Sequence, residues 1–214
     1  MTRRKLLAAL GLPSVARSVE RDGPKPEFSL TPIPSETGIA SWYGYPFHGR
    51  RAAGGEIYDM EKFTAAHRTL RFNTRVRVVN LSNAKVVDVR INDRGPFVDG
   101  RIIDLSKAAA GTIDLIRPGI TPVRVDVIDA PAASLDDHFA VQVGAFQERD
   151  NAERCLELMR SRYGFARLTA RDGDPVLWRV QVGSMPTKER ARTLANRIRQ
   201  ESGQNTVFVV RIDP

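Results

Sequence analysis

The last third of the chain contains an internal repeat. The segment FAVQVGAF at residues 139–146 recurs as WRVQVGSM at residues 178–185, with an identical Val-Gln-Val-Gly centre. Fixed-period similarity of this kind indicates two equivalent structural units that pack on each other. Apolar residues alternate with other residues in both copies, a pattern typical of strands with one buried face. The repeat therefore predicts two matching strands, with Gln142 and Gln181 on the face opposite the core.

A helical segment and then a further strand follow each copy of the repeat. Thr187 is a candidate helix N-cap, and Gly164 and Gly203 stand where helix C-caps belong. The expected segments are helices at 150–163 and 187–201 and strands at 165–170 and 206–212. The resulting βαββαβ order predicts an antiparallel four-stranded sheet with two helices on one face and the other face open.

This region, residues 138–213, resembles the SPOR (sporulation-related repeat) domain, whose repeats carry the same Phe-x-Val-Gln-x-Gly strand. The resemblance implies binding to septal peptidoglycan, with a preference for glycan strands that lack stem peptides. The glycan contacts that it implies are Gln142, Phe146, Trp178, Arg179 and Gln181. Amides would bond to sugar hydroxyls, aromatic rings would stack on pyranose faces, and Arg179 would pair with a lactyl carboxylate. Trp178 is out of phase with Gln181 along the strand, which favours core packing for Trp178.

An RNA-recognition module is the competing interpretation, because it has the same element order and a basic charge. That module stacks bases on aromatic rings of its central strands. The central positions opposite the core here are instead Ala140, Gln142, Arg179 and Gln181. We therefore expect no nucleic-acid partner. The formal net charge of +8 still favours an anionic partner, although solvated Arg-rich helices explain it equally well.

The middle of the chain, residues 38–130, contains short strand-like runs separated by turn residues. The expected elements are strands at 38–43, 75–81, 85–91 and 123–128 and one helix at 106–112. Short strands with a single helix favour a small all-β barrel. The single cysteine, Cys155, excludes an intrachain disulfide and a multi-thiolate metal site.

Three chemically useful side chains stand in separate polar clusters of this region: Glu56, His67 and Asp93. A functional interpretation pairs Glu56 and Asp93 across one groove with His67 between them, since two carboxyls in unlike environments can divide an acid role from a stabilising role. Structural interpretations remain open from spacing alone. The position of Asp93 is also consistent with an acid that caps a turn beside Arg94. Glu56 is consistent with a solvated loop residue, and His67 with a hydrogen-bonded residue that packs in the core.

The amino-acid sequence of these clusters resembles that of the double-psi β-barrel domain in the rare lipoprotein A family. The matching segments are GIASWYG at 38–44, FHGR at 47–50, GE at 55–56, TAAH at 64–67, NDRGPF at 92–97 and RIIDLS at 101–106. A barrel followed by a SPOR domain is that family's own arrangement. The resemblance implies a lytic transglycosylase that cleaves the MurNAc–GlcNAc β-1,4 bond of peptide-free glycan, without metal or cofactor. The alternative is an expansin-like barrel that binds cell-wall glycan without cleaving it.

The resemblance also implies roles for individual residues. Asp93 would be the acid/base, Glu56 would stabilise positive charge or share the proton, and His67 would orient or tune a carboxyl. The groove that holds the glycan would be lined by Ser41, Tyr43, His48 and Arg94.

The first residues resemble an export signal. Basic residues precede a short apolar stretch, and small residues follow within residues 1–16, which is typical of a secretory signal. Residues 17–37 are rich in Pro, Ser, Glu and Arg and are expected to form a linker. No Cys follows the apolar stretch, so we expect no lipid anchor. The predicted location is the periplasm at the division septum, with divisome proteins as further partners and no transmembrane span.

Overall fold

A computed structural model of the chain describes residues 35–132, 134, 137–171, 176–204 and 206–212. The predicted export signal and the predicted linker as far as residue 34 lie outside the described residues. Within the described part of the chain, none of the helices is long and apolar enough to cross a membrane.

The first domain is a closed barrel in the strand order β1-β5-β2-β4-β3-β6. Its elements are β1 (Ser35–Tyr43), β2 (Thr64–His67), β3 (Arg75–Asn80), β4 (Val86–Asp93), β5 (Arg101–Ser106), α1 (Lys107–Thr112) and β6 (Ile120–Asp129). Two neighbouring pairs, β1 with β5 and β2 with β4, run parallel, and the other pairs are antiparallel. The predicted small barrel is confirmed.

Alternating apolar residues form the barrel core. Val76 and Val78 of β3 and Val89 of β4 are almost fully buried, while Arg75 and Arg77, which alternate with the β3 valines, are exposed. This period of two is the pattern expected where one face of each strand points inward. The sequence had not indicated β2 and β5, because the short, fully buried run TAAH of β2 and the run RIIDLS of β5 lack clear alternation.

The second domain is the predicted βαββαβ unit. Its elements are β7 (His138–Phe146), α2 (Arg149–Tyr163), β8 (Ala166–Arg171), β9 (Leu177–Met185), α3 (Lys188–Ser202) and β10 (Phe208–Ile212). The sheet order is β10-β7-β9-β8, and every pair is antiparallel. Thr187 caps α3 by accepting a hydrogen bond from the Arg190 N–H, and Gly203 ends α3 in the left-handed conformation.

The second face of this sheet is not open, which corrects the expectation from sequence. Gln142 is only 3% exposed, and Arg179 and Gln181 are each 8% exposed. The Arg179 guanidinium lies over the ring of Phe97, a barrel residue, 4.7 Å from its centroid. Arg167 donates to the Gln181 side-chain oxygen at 2.9 Å. Strand alternation identifies which residues share a face, but it does not reveal what packs against that face.

Further contacts join the barrel to the second domain. The backbone N–H of Arg211 in β10 donates to the Arg68 carbonyl at 3.0 Å, and its Nε donates to the Thr69 carbonyl at 2.9 Å. Asp137, in the short connection, pairs with both Arg71 and Arg211. These contacts hold the second domain against the barrel across the short connection between them.

Candidate active site

Four strands of the barrel bring a row of polar residues together. Ser41 of β1 pairs with Asp104 of β5, Asp104 pairs with Ala66 of β2, and Ala66 pairs with Asp93 of β4. Residues that are paired across neighbouring strands point to the same side of the sheet. The row therefore places the carboxyls of Asp93 and Asp104 on either side of the small Ala66 side chain.

A register shift in β4 makes this row possible. Ala65 pairs with Ile91, but the next residue, Ala66, pairs with Asp93, so that Asn92 is passed over. Under strict alternation Asp93 would share the face of Ile91, which is fully buried in the barrel core. An irregularity of this type re-aims the side chains that follow it. The shift thus turns Asp93 away from the core and into the row.

The backbone around Asp93 holds its carboxyl in one orientation. Its Oδ1 accepts hydrogen bonds from the Ala53 N–H at 2.9 Å and the Arg94 N–H at 2.8 Å. Gly54 lies directly against the end of β4, since a Cβ at this position would stand 2.6 Å from the Asn92 carbonyl oxygen. The glycine therefore permits the close approach that brings the Ala53 N–H to the carboxyl.

Asp104 is a candidate site residue that the sequence analysis did not assign. Its Oδ1 accepts hydrogen bonds from the Ser41 hydroxyl and from the Arg101 guanidinium. The available signal was its place in the segment RIIDLS at 101–106, where it is the one acidic residue and stands between the apolar Ile103 and Leu105.

A groove of about 220 Å³ lies over this row, and both Asp93 and Asp104 line it. Its walls include four aromatic side chains, Trp42, Tyr43, Phe47 and Phe97. The Tyr43 ring stacks on Tyr58 with centroids 4.3 Å apart, which fixes its position. Aromatic faces beside carboxyls suit a sugar ring, whose C–H face is apolar and whose rim is polar. The groove is smaller than the ~300 Å³ of an ordinary ligand cleft, so it fits part of a long strand.

Glu56 lies outside the lining of this groove, and its carboxylate is close to the Asn92 side chain. Both carboxylate oxygens of Glu56 accept hydrogen bonds from the Arg90 guanidinium, Oε2 at 2.8 Å. This hydrogen bonding lowers the pKa of Glu56 below its ordinary value, and desolvation only partly opposes it. Glu56 therefore remains ionised near neutral pH and is a poor proton donor there.

His67 is buried, and it contacts a carboxyl that the sequence analysis had not considered. Its Nδ1 accepts hydrogen bonds from the Thr69 N–H at 3.1 Å and the Leu70 N–H at 3.0 Å. The neutral ring must then carry its proton on Nε2, which lies 3.6 Å from a carboxylate oxygen of Glu36. His67 follows Ala66 in β2 and so faces away from the Asp93 row. The predicted position between Glu56 and Asp93 in one groove is not what the structure shows.

The environment of this pair shifts both pKa values. Contact with His67 is the largest influence on Glu36 and lowers its pKa to about 2, with help from Lys188 and Arg68 and against the effect of burial. Burial lowers the pKa of His67, and the Glu36 charge opposes this only in part. Near neutral pH the pair thus consists of a carboxylate and a neutral imidazole.

The remaining residues predicted for the barrel groove have different positions. Ser41 is not part of the groove lining, but its hydroxyl donates a hydrogen bond to Asp104, which is. Tyr43 and Arg94 line the groove directly. Arg94 is nonetheless buried, and its guanidinium donates to the His67 and Leu70 carbonyls. His48 lies outside the groove lining, where its Nδ1 accepts from the Met60 N–H at 3.2 Å.

The five residues predicted to bind glycan in the second domain lie on both faces of the sheet. Phe146 and Trp178, which are paired across β7 and β9, pack against the core beneath the helices, as expected for Trp178. Arg179 and Gln181 lie on the covered face. Gln142 and Phe146 line a second groove of about 360 Å³, to which the barrel contributes Phe97. Phe97 therefore belongs to both grooves.

No three His, Cys, Asp or Glu side chains among the described residues are grouped in a way that could hold a metal ion.

Comparison with known proteins identifies both domains. Residues 35–125 match the family model described as lytic transglycolase, and residues 136–211 match that of the SPOR domain. Among solved structures, Streptomyces papain inhibitor matches with a TM-score of 0.39 and 22% identity, covering 46% of this chain and 98% of that chain.

Two curated relatives carry the same printed name. "Endolytic peptidoglycan transglycosylase RlpA" of Campylobacter jejuni subsp. jejuni serotype O:2 is 58% identical over 91 residues, 42% of this chain and 33% of that protein. The protein of that name from Neisseria meningitidis serogroup A is 51% identical over 126 residues, 57% of this chain and 52% of that protein. The matches thus span from a third to about half of these relatives. With both of its domains matched in order, the chain belongs to the RlpA family.

Proposed function

We propose that this protein is a lytic transglycosylase that cleaves the MurNAc–GlcNAc β-1,4 bond of peptide-free glycan strands. The observation that carries the proposal is the buried Asp93 carboxyl, which opens onto an aromatic groove beside Asp104. The printed names of the relatives support the coarser part of the proposal, peptidoglycan transglycosylase activity.

Asp93 acts first as an acid and then as a base. It protonates the glycosidic oxygen as the C1–O4 bond breaks, and an oxocarbenium-like centre forms at C1 of MurNAc. The Asp93 carboxylate then accepts the proton of the MurNAc C6 hydroxyl, whose oxygen bonds to C1 and closes the 1,6-anhydro ring. One proton moves from O6 to O4 through Asp93, and no water is consumed.

The other candidate groups are less suited to this proton transfer. Glu56 is held ionised by Arg90, so its role is that of a fixed negative charge near the end of β4. His67 is buried with both ring nitrogens engaged, so it positions the loop that follows β2. Asp104 lines the groove with a carboxylate already bonded to Arg101, which suits it to oppose the positive charge developing at C1.

The SPOR domain extends the binding surface for the strand and targets the protein to septal peptidoglycan. Phe97 connects the barrel groove to the groove that Gln142 and Phe146 line, so a glycan that lies over Asp93 can continue onto the second domain. This arrangement favours long strands over short fragments, because contacts distant from the reacting bond contribute to binding.

The test is product formation by full-length variants incubated with peptide-free glycan. We expect Asp93→Asn to lower the rate of 1,6-anhydroMurNAc formation at least ~100-fold, the usual contribution of a positioned general acid. Glu56→Gln should lose less, because Glu56 is not the proton donor. Asp150→Asn, at an exposed position in the first turn of α2, is the matched control and should retain the wild-type rate.

Near-wild-type activity of a folded Asp93→Asn protein would reject Asp93 as the acid. If the wild-type protein binds the strands but releases no anhydro product, the expansin-like alternative of binding without cleavage is supported.

A further inference from the structure

The barrel and α3 enclose a polar cavity of about 270 Å³, which we call the junction cavity. Four cationic side chains line it: Arg68 of the barrel and Lys188, Arg192 and Arg199 of α3. The α3 residues follow one another at spacings of four and seven, so they project from one side of the helix. The two domains therefore contribute positive charge to the same open space.

The cations of the junction cavity are close enough to repel one another. Burial lowers the pKa of Arg68, and the charge of Arg199 adds to this effect against the opposing carboxylates. Burial likewise lowers the pKa of Lys188, and the charges of Arg192 and Arg68 lower it further. An anion that enters the cavity relieves repulsion of this kind, because it favours the charged form of each neighbour.

Carboxylates balance these cations only in part within the described stretches of the chain. Asp99 is the one carboxylate among the described lining residues. Glu36 lies beside the cavity, with a carboxylate oxygen 3.7 Å from Lys188 Nζ and 3.6 Å from His67 Nε2. Setting these two carboxylates against the four cations leaves two positive charges. A phosphate group carries a charge of about −1.5 to −2 near neutral pH and so matches this excess, whereas one carboxylate neutralises half of it.

The donors around the cavity also suit the oxygens of a phosphate group, which guanidinium groups bind in a planar, two-pronged geometry. The Arg68 guanidinium lies over the Phe208 ring at 5.2 Å and donates to the Pro96 carbonyl at 3.3 Å, so it is already held in place. The Asn196 side-chain oxygen accepts from Arg199 Nη1 at 2.9 Å, so the Asn196 amide nitrogen is the atom that can donate to a ligand. Donors that are ordered beforehand reduce the entropy cost of binding.

We propose that the junction cavity binds a phosphate group and that the bound group joins α3 to the barrel. Two sources present this chemistry, inorganic phosphate in solution and the phosphomonoester headgroup of a membrane lipid. The site takes no part in the proton transfer assigned to Asp93, so it stands or falls independently of the proposed function.

The decisive experiment is a calorimetric titration of the full-length protein with inorganic phosphate at about pH 7.5, where a phosphate group is mostly doubly charged. Ionic strength is held constant with sodium chloride, since any strongly basic protein attracts anions at low salt. Acetate is titrated in parallel as the singly charged comparison. Arg68→Gln and Arg192→Gln each remove a cation from one side of the cavity, and Asp99→Asn removes its carboxylate. Arg154→Gln, at an exposed position of α2, removes the same charge elsewhere and is the matched control.

We expect saturable binding of phosphate to the wild type and a dissociation constant about fivefold weaker in Arg68→Gln and in Arg192→Gln. Asp99→Asn should bind about fivefold more tightly. This is the effect of one unit charge at ~4 Å in water. Arg154→Gln should match the wild type, and phosphate but not acetate should raise the unfolding temperature, because a ligand of the folded state stabilises it.

Three results would overturn the site: no saturable binding of phosphate, an equal response to acetate, or an equal loss of affinity in Arg154→Gln. A loss in Arg192→Gln without one in Arg68→Gln would overturn the joining of the two domains, because the ligand would then contact α3 alone.

Vesicles distinguish the two sources of the phosphate group. The protein is sedimented with phosphatidylcholine vesicles that contain phosphatidic acid and with vesicles of phosphatidylcholine alone. Binding to the former that Arg192→Gln weakens and Arg154→Gln does not would assign the site to a lipid headgroup. Binding of inorganic phosphate without such a difference on vesicles would assign it to free phosphate.

Discussion

The barrel groove was predicted from separate polar clusters and the open sheet face of the SPOR domain from strand alternation, yet of these two surfaces only the groove is open. Asp93 in the barrel opens onto a groove. Gln142 and Gln181 in the sheet lie on a face that is almost fully buried, with Phe97 of the barrel packed beside it. The comparison shows that a polar residue opposite a core can face either an open groove or another domain.

We expect the largest effect from a substitution at Gly54, whose backbone lies against the end of β4 and so helps to position Asp93 in the barrel groove. Gly54→Ala would place a methyl group 2.6 Å from the Asn92 carbonyl oxygen, so the loop must move and the Ala53 N–H must leave Asp93. A misplacement of the order of 1 Å can reduce catalysis about 100-fold, and we expect a loss of that size in kcat/KM.

Gly111→Ala is the matched control for this substitution, because a Cβ at Gly111 in α1 meets nothing within 4 Å. That change should leave activity intact and raise the unfolding free energy by about 0.5–1 kcal/mol. Wild-type turnover by Gly54→Ala would show that the position of Asp93 does not depend on this contact.

How much of each region could be predicted from the sequence depends on whether a feature involves neighbouring residues or residues from separate segments of the chain. The repeat, the helix caps at Thr187 and Gly203 and the valine alternation are local, and they predicted the element order. The shift that passes over Asn92 and turns Asp93 outward depends on the pairing of β4 with β2, two strands distant in sequence. The Glu36 partner of His67 likewise arises only when the barrel closes.

A smaller effect is expected at the covered sheet face. The Arg179 guanidinium over Phe97 is a cation–π contact between the two domains, and such contacts contribute about 0.5–2 kcal/mol. A double-mutant cycle of Phe97→Leu and Arg179→Gln, measured by denaturant unfolding, should give a coupling free energy in this range. The same cycle with Arg154→Gln in place of Arg179→Gln is the control and should give none. Strict additivity of the first pair would mean that the sheet face is not held against the barrel in solution.

The smallest effect concerns the His67–Glu36 pair beside the junction, and it takes the form of a pH dependence. Because the folded protein lowers the pKa of His67 below its unfolded value near 6.5, the unfolded chain binds the proton more readily. Stability is therefore complete above about pH 6.5 and falls as the pH decreases through the window below it, by at most about 1 kcal/mol between pH 6.5 and 5.5. Glu36, whose pKa is lowered to about 2, adds a further loss only below its unfolded value near 4.5.

Unfolding free energies measured across this window, together with an NMR titration of the His67 imidazole, test the argument. His67→Gln should remove the slope between pH 6.5 and 5.5, since glutamine does not titrate, whereas His48→Gln on the exposed side of the barrel should leave it unchanged. The NMR titration does not require the buried variant to fold, and it should give a His67 midpoint below the ordinary value near 6.5. A His67 midpoint at or above 6.5 would mean that the imidazole carries a positive charge beside Glu36. The contact between the two side chains would then be an ion pair rather than a contact between a neutral imidazole and a carboxylate.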